Sequence, residues 1–319
     1  MSQNAPSLEN TLRISVDKLY VGGEGLLSEI EAGLNNKRIE NPRVGFQGTE
    51  GSFGEQAARE YFNDSFLELK KYHGFDDLLE AVANSEVDYG VLPIENSTAG
   101  DVLEVSDLIV RYNLYIVGEH TIRIRHNLLC LPEAELSDIT EVYSHPQALN
   151  QCREFLKAHS NITACPYANT ALAGEYVSQK GDIHSASIGS LRCAELYGLK
   201  VLAEGIQTMQ NNFTRFIVIS KHMELNDSCG KISIVFSAAH SSGSLHSALS
   251  HFAYNGLNLV KIQSRPKLDE PWEYLFFLDI EGNLSDANVL IALGRVLSQS
   301  SFFKLLGNYP ASKYGIHMA

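Results

Sequence analysis

From Arg43 onward, short apolar runs alternate with stretches whose apolar positions recur every three or four residues, which predicts strands and helices in turn. The pattern predicts strands over 44–46, 89–94, 114–117, 128–131 and 141–143. It predicts helices over 55–61, 102–112, 147–157, 171–179 and 190–197. That rhythm points to an α/β layered domain with a largely parallel sheet. A different pattern begins near Gly230: a strand over 231–236, then a helix over 244–254 with Leu245, Leu249 and Phe252 on one face. Strands over 257–263 and 274–280, a helix over 286–299 and an extended run over 305–309 complete a ferredoxin-like α+β order. Asn226, Asp227 and Ser228 form the expected linker. Residues 1–42 stand apart, with a loosely helical pattern over 8–36 that Gly22, Gly23 and Gly25 interrupt. They are expected to form one or two short helices or a partly mobile arm.

Composition narrows the possible partners. At 319 residues the chain suits two or three folding units. Its net charge, 25 − 38 = −13, argues against nucleic acid and anionic membrane. An anionic substrate would therefore need local positive features. No apolar run approaches the ~20 residues of a membrane helix, and the first residues lack the apolar core of a secretory signal. The five cysteines, Cys130, Cys152, Cys165, Cys193 and Cys229, are odd in number and show no CxxC spacing. They read as reduced thiols in a cytoplasmic protein, with no metal site.

Candidate chemistry lies where strands run into polar loops. Gln47 to Glu55 carries three glycines ahead of a helix start, suited to close backbone approach and an anion at the helix N-terminus. Ser52 and Glu55 also have capping-box spacing, which would satisfy those donors internally. Pro93 to Gly100 places Glu95, Asn96, Ser97 and Thr98 at a strand's C-terminal end, where open α/β sheets bind ligands. Ser144 to Gln151 looks like a third helix start, with Ser144 as N-cap. Finally, Thr214 and Arg215 open an apolar strand, and a charged group there calls for a partner. Each feature alone reads more readily as a cap or a strand edge, and convergence on one crevice would change that. His145, beside Pro146, is expected to be structural.

Four segments, GTEGSFGEQAA (48–58), DYGVLPIENSTAG (88–100), SHPQALNQC (144–152) and NNFTRF (211–216), resemble the motif series of prephenate dehydratases, in the same order. The second pattern resembles the ACT regulatory domain, through Ser242-Gly243-Ser244-Leu245 and Gln263-Ser264-Arg265-Pro266. The resemblance covers about 43–309. It implies a catalytic domain over 43–224, made of two α/β subdomains of periplasmic-binding-protein-like architecture with a cleft between them, and an ACT domain over 229–310. The implied reaction is dehydration and decarboxylation of prephenate to phenylpyruvate, without a cofactor. Arogenate is the alternative substrate, and a solute-binding or amino-acid-sensing protein the alternative class. L-phenylalanine is the implied effector, in a homodimer or homotetramer. The sequence departs from the family at Gln263, usually Glu, and residues 1–42 are too short for a chorismate mutase domain.

The resemblance assigns Thr214 as donor to the leaving hydroxyl, with Glu95, Asn96 and Gln151 as further catalytic residues. Ser52, Ser97, Ser144, Thr170, Arg215 and Phe216 are expected to bind substrate. Gly243, Ser244, Leu245, Asn258, Ser264, Arg265 and Pro266 are expected to bind the effector. Strand alternation puts Thr214 and Phe216 on one face and Arg215 on the other, so Arg215 either grips a substrate carboxylate or braces the opposite side. An ionised Glu95 would repel a dianion, so it either holds its proton or orients neighbours.

Overall fold

The computed structural model of the chain describes residues 24–63, 67–267 and 273–312. The predicted pattern over 8–23 and the single tryptophan, Trp272, lie outside the described residues. The chain begins with α1 (Glu24–Asn35), β1 (Arg43–Gln47), α2 (Phe53–Phe62), β2 (Glu68–Tyr72) and α3 (Phe75–Ala83). It continues through β3 (Tyr89–Asn96), β4 (Gly100–Asp101), α4 (Leu103–Arg111), β5 (Tyr115–Arg123), β6 (Asn127–Cys130) and β7 (Glu141–Ser144). Next come α5 (Pro146–Gln151), α6 (Arg153–Ala158), β8 (Thr163–Pro166), α7 (Thr170–Lys180), β9 (Ser185–Gly189), α8 (Leu191–Tyr197), β10 (Lys200–Ala203) and β11 (Phe213–Ser220). The last elements are β12 (Lys231–Ser237), α9 (Ser244–Tyr254), β13 (Leu259–Pro266), β14 (Tyr274–Glu281), α10 (Ala287–Gln299) and β15 (Phe303–Tyr309).

Two compact units result. A central unit gathers residues 41–105 and 120–216, and a terminal unit gathers 106–119, 217 onward and the described residues before 41. Boundaries fall inside α4, β5 and β11, so a helix and two strands each contribute residues to both units.

The central unit holds two sheets. In the first, β1 pairs in parallel with β2 and β3, and β4 pairs antiparallel with β3 through Glu95 opposite Asp101. The strand order is β2-β1-β3-β11-β5. The second sheet is ordered β10-β6-β9-β7-β8, with β7 parallel to β8 and β9 but β6 antiparallel to β9 and β10. The expected sheet was largely parallel; the observed ones are mixed.

Several elements escaped the apolar pattern for physical reasons. Strand β2 (ELKKY) is a polar edge, and β8 (TACP) is an edge strand ending in proline. Strand β9 (SASIG) is buried throughout, yet its residues are small enough to carry little hydrophobic signal. The predicted helix over 147–157 is two helices, divided at Cys152, whose φ of −102° and ψ of 16° depart from helical values.

The terminal unit matches the ferredoxin-like expectation. Its sheet runs β13-β14-β12-β15 with antiparallel neighbours throughout. Ile232, Ile234 and Phe236 of β12, Leu278 and Ile280 of β14, Phe252 of α9 and Leu290 and Leu293 of α10 form one core, which Leu26 and Ile30 of α1 join. Burying a side chain of this size contributes roughly 1.5–3 kcal/mol. Residues 106–119 belong to this unit through specific contacts. Lys231 pairs with the buried Glu119 at 2.8 Å, Arg265 pairs with Asp107, and a Cβ on Gly307 would overlap the Ile116 carbonyl.

Candidate active site

A cavity of about 560 Å3 opens in the central unit, and all its lining residues come from that unit. The three polar loops supply much of its wall. Ser52, Phe53 and Gly54 come from the start of α2, Asn96 from the end of β3, and His145, Gln147 and Gln151 from α5 and its start. Asn169 and Thr170 join them from the start of α7. Among the described residues lining it there is no Lys or Arg, and Asp101 is the one carboxylate. An anion in this cavity would meet helix N-termini rather than a cationic side chain, and their N–H groups and dipoles favour negative charge.

The α2 start shows why the sequence folds this way. Ser52 Oγ accepts from the Glu55 amide at 3.3 Å, while the buried Glu55 carboxylate reaches back one residue beyond the cap to the Gly51 amide, at 2.6 Å. The predicted capping box is thus offset by one residue. A Cβ on Gly54 would overlap the Gln47 carbonyl oxygen, so only glycine lets α2 approach the end of β1 this closely. At α7, Asn169 Oδ1 accepts from the Leu172 amide at 2.7 Å.

The third loop differs from expectation. The N-cap of α5 is His145, not Ser144: its Nδ1 accepts from the Gln147 amide at 3.2 Å, with Pro146 in the first turn. Ser144 is fully buried and donates to the Ile188 carbonyl at 2.8 Å.

Across the cavity runs a directional chain of neutral hydrogen bonds. His126 Nε2 lies 2.8 Å from Gln151 Oε1, and Gln151 Nε2 donates to Thr98 Oγ1 at 3.0 Å. Thr98 Oγ1 donates to Asn96 Oδ1 at 2.7 Å, and Asn96 Nδ2 donates to Thr214 Oγ1 at 2.8 Å. Asn96 has a fixed orientation, since its Oδ1 also accepts from the Thr98 and Ala99 amides. That sets the polarity of the chain: Thr214 Oγ1 is an acceptor within the protein, and its own proton is left for the cavity. Burial holds the His126 pKa below its ordinary value, with the Gln151 hydrogen bond working against that shift. The ring is therefore neutral near pH 7 with its proton on Nε2, and Nδ1 is buried without a hydrogen-bond partner.

The other expected residues separate into two groups. Ser52, Asn96, Gln151, Thr170, Thr214 and Phe216 line the cavity together; Glu95, Ser97, Ser144 and Arg215 do not. Arg215 Nη2 and Nε lie 2.8 and 3.2 Å from Glu95 Oε2, the arrangement of a brace on Glu95. Ser97 Oγ accepts from the Phe213 amide and donates to the Asn211 carbonyl, joining β3 to β11. His126 was missed, and Thr98 and Asn212, though inside the quoted segments, were given no role. A signal existed for His126: Arg125, His126 and Asn127 form a polar run directly before an apolar strand, as Asn211 and Asn212 do before β11.

In the terminal unit, a pocket of about 310 Å3 is lined by residues including Ser244, Leu245, Tyr274 and Phe276. Gly243, at φ 83°, caps α9 beside it. Asn258, Ser264, Arg265 and Pro266 do not line this pocket, and Asn258 bonds Glu281 instead.

Comparison with known proteins identifies the arrangement. The prephenate dehydratase family profile matches residues 44–224. The chain belongs to the prephenate dehydratase family. A curated relative, the chloroplastic arogenate dehydratase/prephenate dehydratase 1 of Arabidopsis thaliana, is 38% identical over 284 residues, covering 84% of this chain and 72% of that protein. The prephenate dehydratase of Arthrobacter aurescens, solved with L-Phe, superposes with a TM-score of 0.77 at 30% identity, covering 84% and 89% of the two chains. GqqA, described as a quorum quenching acylase, superposes with a TM-score of 0.78 at 28% identity, covering 85% and 98%. The shared fold extends over solved prephenate dehydratase structures. Membership places the cavity within a family of dehydratases of phenylalanine biosynthesis.

Proposed function

We propose that the cavity of the central unit converts prephenate to phenylpyruvate, with the Thr214 hydroxyl donating to the departing ring hydroxyl. The observation that carries this reading is the polarity of the chain ending at Thr214, whose oxygen accepts from Asn96 at 2.8 Å. The bond from the ring to the carboxylate breaks, its electron pair enters the ring, and hydroxide leaves from the opposite carbon. Hydroxide takes the proton offered at Thr214 and departs as water, CO2 is released, and solvent restores the proton. A threonine is too weak an acid to protonate ahead of bond breaking, so its contribution is a positioned hydrogen bond that strengthens as negative charge develops. Aromatisation drives the step, so no covalent intermediate is needed. The starts of α2 and α7 hold the carboxylates, and the neutral walls favour loss of charge as CO2. Phe216, Ser52 and Thr170 complete the substrate contacts, while Gln151 and neutral His126 keep the chain oriented. Glu95 and Arg215 support the strand pair from outside the cavity.

Arogenate is a second reading, favoured by Asp101, whose carboxylate at the cavity suits the ammonium that arogenate carries in place of a keto oxygen. L-phenylalanine is the proposed effector, held at the Ser244–Leu245 pocket of a unit that pairs as a homodimer or homotetramer. The edge strand β13 supports pairing by exposing Val260 and Ile262. Five unpaired cysteines support a cytoplasmic setting.

The test is turnover of pure protein with prephenate, read as phenylpyruvate absorbance in alkali, beside the same measurement with arogenate. Thr214→Ala is expected to lower kcat by ~10²-fold. No product from either substrate would refute the reading, a higher kcat/KM for arogenate would reassign the substrate, and a change confined to KM would remove Thr214 from the chemistry.

A further inference from the structure

A buried amide behind the cavity wall is left with an unsatisfied donor. Asn212 is 1% exposed and does not line the cavity. Its Oδ1 accepts from Asn96 Nδ2 at 2.9 Å, and its Nδ2 has no hydrogen-bond partner. A buried unpaired donor is costly, and its persistence calls for a physical reason. Reversing the amide supplies that reason by contrast. It would set Nδ2 against Asn96 Nδ2, donor facing donor, and would do so beside the atom that reaches Thr214.

Asn96 Nδ2 carries two protons, with Thr214 Oγ1 at 2.8 Å and the Phe213 carbonyl at 3.2 Å as its other acceptors. Asn212 Oδ1 claims one proton and so directs the second at Thr214. The Thr98 and Ala99 amides hold the Oδ1 end of Asn96, so the freedom left to Nδ2 is a tilt. Without the Asn212 acceptor that tilt runs toward the Phe213 carbonyl, and it lengthens and bends the hydrogen bond to Thr214 Oγ1.

We propose that Asn212 is a positioning residue for the dehydration, acting through Asn96 to hold the Thr214 hydroxyl as a donor toward the cavity. The inference rests on the dehydratase reading above and adds to it a residue that aligns the Asn96 donor with Thr214.

The experiment is a double-mutant cycle in the full chain, with folding followed by thermal denaturation. Asn212→Ala is expected to lower kcat on the order of 10²-fold, as misdirected catalytic groups do, with KM moved by less than about threefold. In an Asn96→Ala background the same substitution should cost less than about threefold more, because its effect is already spent. Asn212→Asp keeps an acceptor for Asn96 and should regain at least about tenfold of the lost kcat; it also carries the test if the alanine variant does not fold. The inference is overturned by a KM-only effect, by the full loss recurring in the Asn96→Ala background, or by an aspartate variant no better than alanine. A wild-type protein inactive on both substrates overturns the dehydratase reading, and this inference with it.

Discussion

At the scale of single residues, the site relies on neutral groups whose orientations are fixed by one another. Cooperative chains of this kind are stronger than their isolated bonds and fail together when one member changes state. His126 is the member that can change state within the working range. Its folded pKa lies below the ordinary value because the ring is buried. The unfolded chain therefore takes up a proton first as pH falls through about 6.5, and from there downward stability declines until the folded pKa is passed. Above that window the residue has no such effect. His126→Gln should flatten the acid limb in thermal denaturation measured between about pH 5 and 7.5. The wild-type kcat/KM should hold along that limb and fall only as pH passes the lower folded pKa, where an imidazolium offers Nδ1 as a second donor. An unchanged limb in the variant would show that another group sets it. His126 itself was hidden in the sequence by its neighbours: Arg125 and Asn127 make it read as loop, and its burial follows only from pairing across sheets.

At the scale of elements, the sequence disclosed helix starts better than the roles of the residues at them. Ser52, Asn169 and Ser190 cap helices through local hydrogen bonds, and local spacing reports such bonds well. Ser144 failed because Pro146 shifted the cap to His145, leaving the serine to a strand 44 residues away. Arg215 was legible only as an alternative, because its partner Glu95 is 120 residues distant. Glycines belong at this scale too. Gly54 sits where the first turn of α2 meets the Gln47 carbonyl. Gly54→Ala should push α2 from the end of β1, costing about 1–3 kcal/mol as overpacking does. Because Ser52 and Phe53 line the cavity, kcat/KM should drop along with the melting temperature. Retention of full activity in a destabilised variant would separate the α2 start from substrate binding.

For the whole molecule, net charge and chain order both mislead. The protein carries −13, and the described cavity wall adds no lysine or arginine; the positive potential there comes from helix ends, which provide it without a full charge. The sequence places a linker at 226–228, and a ferredoxin-like unit does follow it. It gives no hint that 106–119 packs with that unit, since no periodicity encodes which distant core a segment joins. The contact that shows this best is Glu119 with Lys231, whose side chains are 2% and 14% exposed. Glu119 also accepts from the Ser312 amide at 2.7 Å. Removing one partner of such a pair leaves a buried charge uncompensated, whereas replacing both with apolar groups is far milder. Lys231→Ala should therefore destabilise the protein by about 3–5 kcal/mol in denaturant unfolding, and Glu119→Leu with Lys231→Met should recover most of that. The segment after Glu119 enters the central unit as the rest of β5. A chain ending at residue 224 should accordingly lose cooperative unfolding, because Glu119 and Ile116 would lack the strands they pack on. Cooperative melting of that fragment at the full-length temperature would mean that 106–119 folds without the terminal unit.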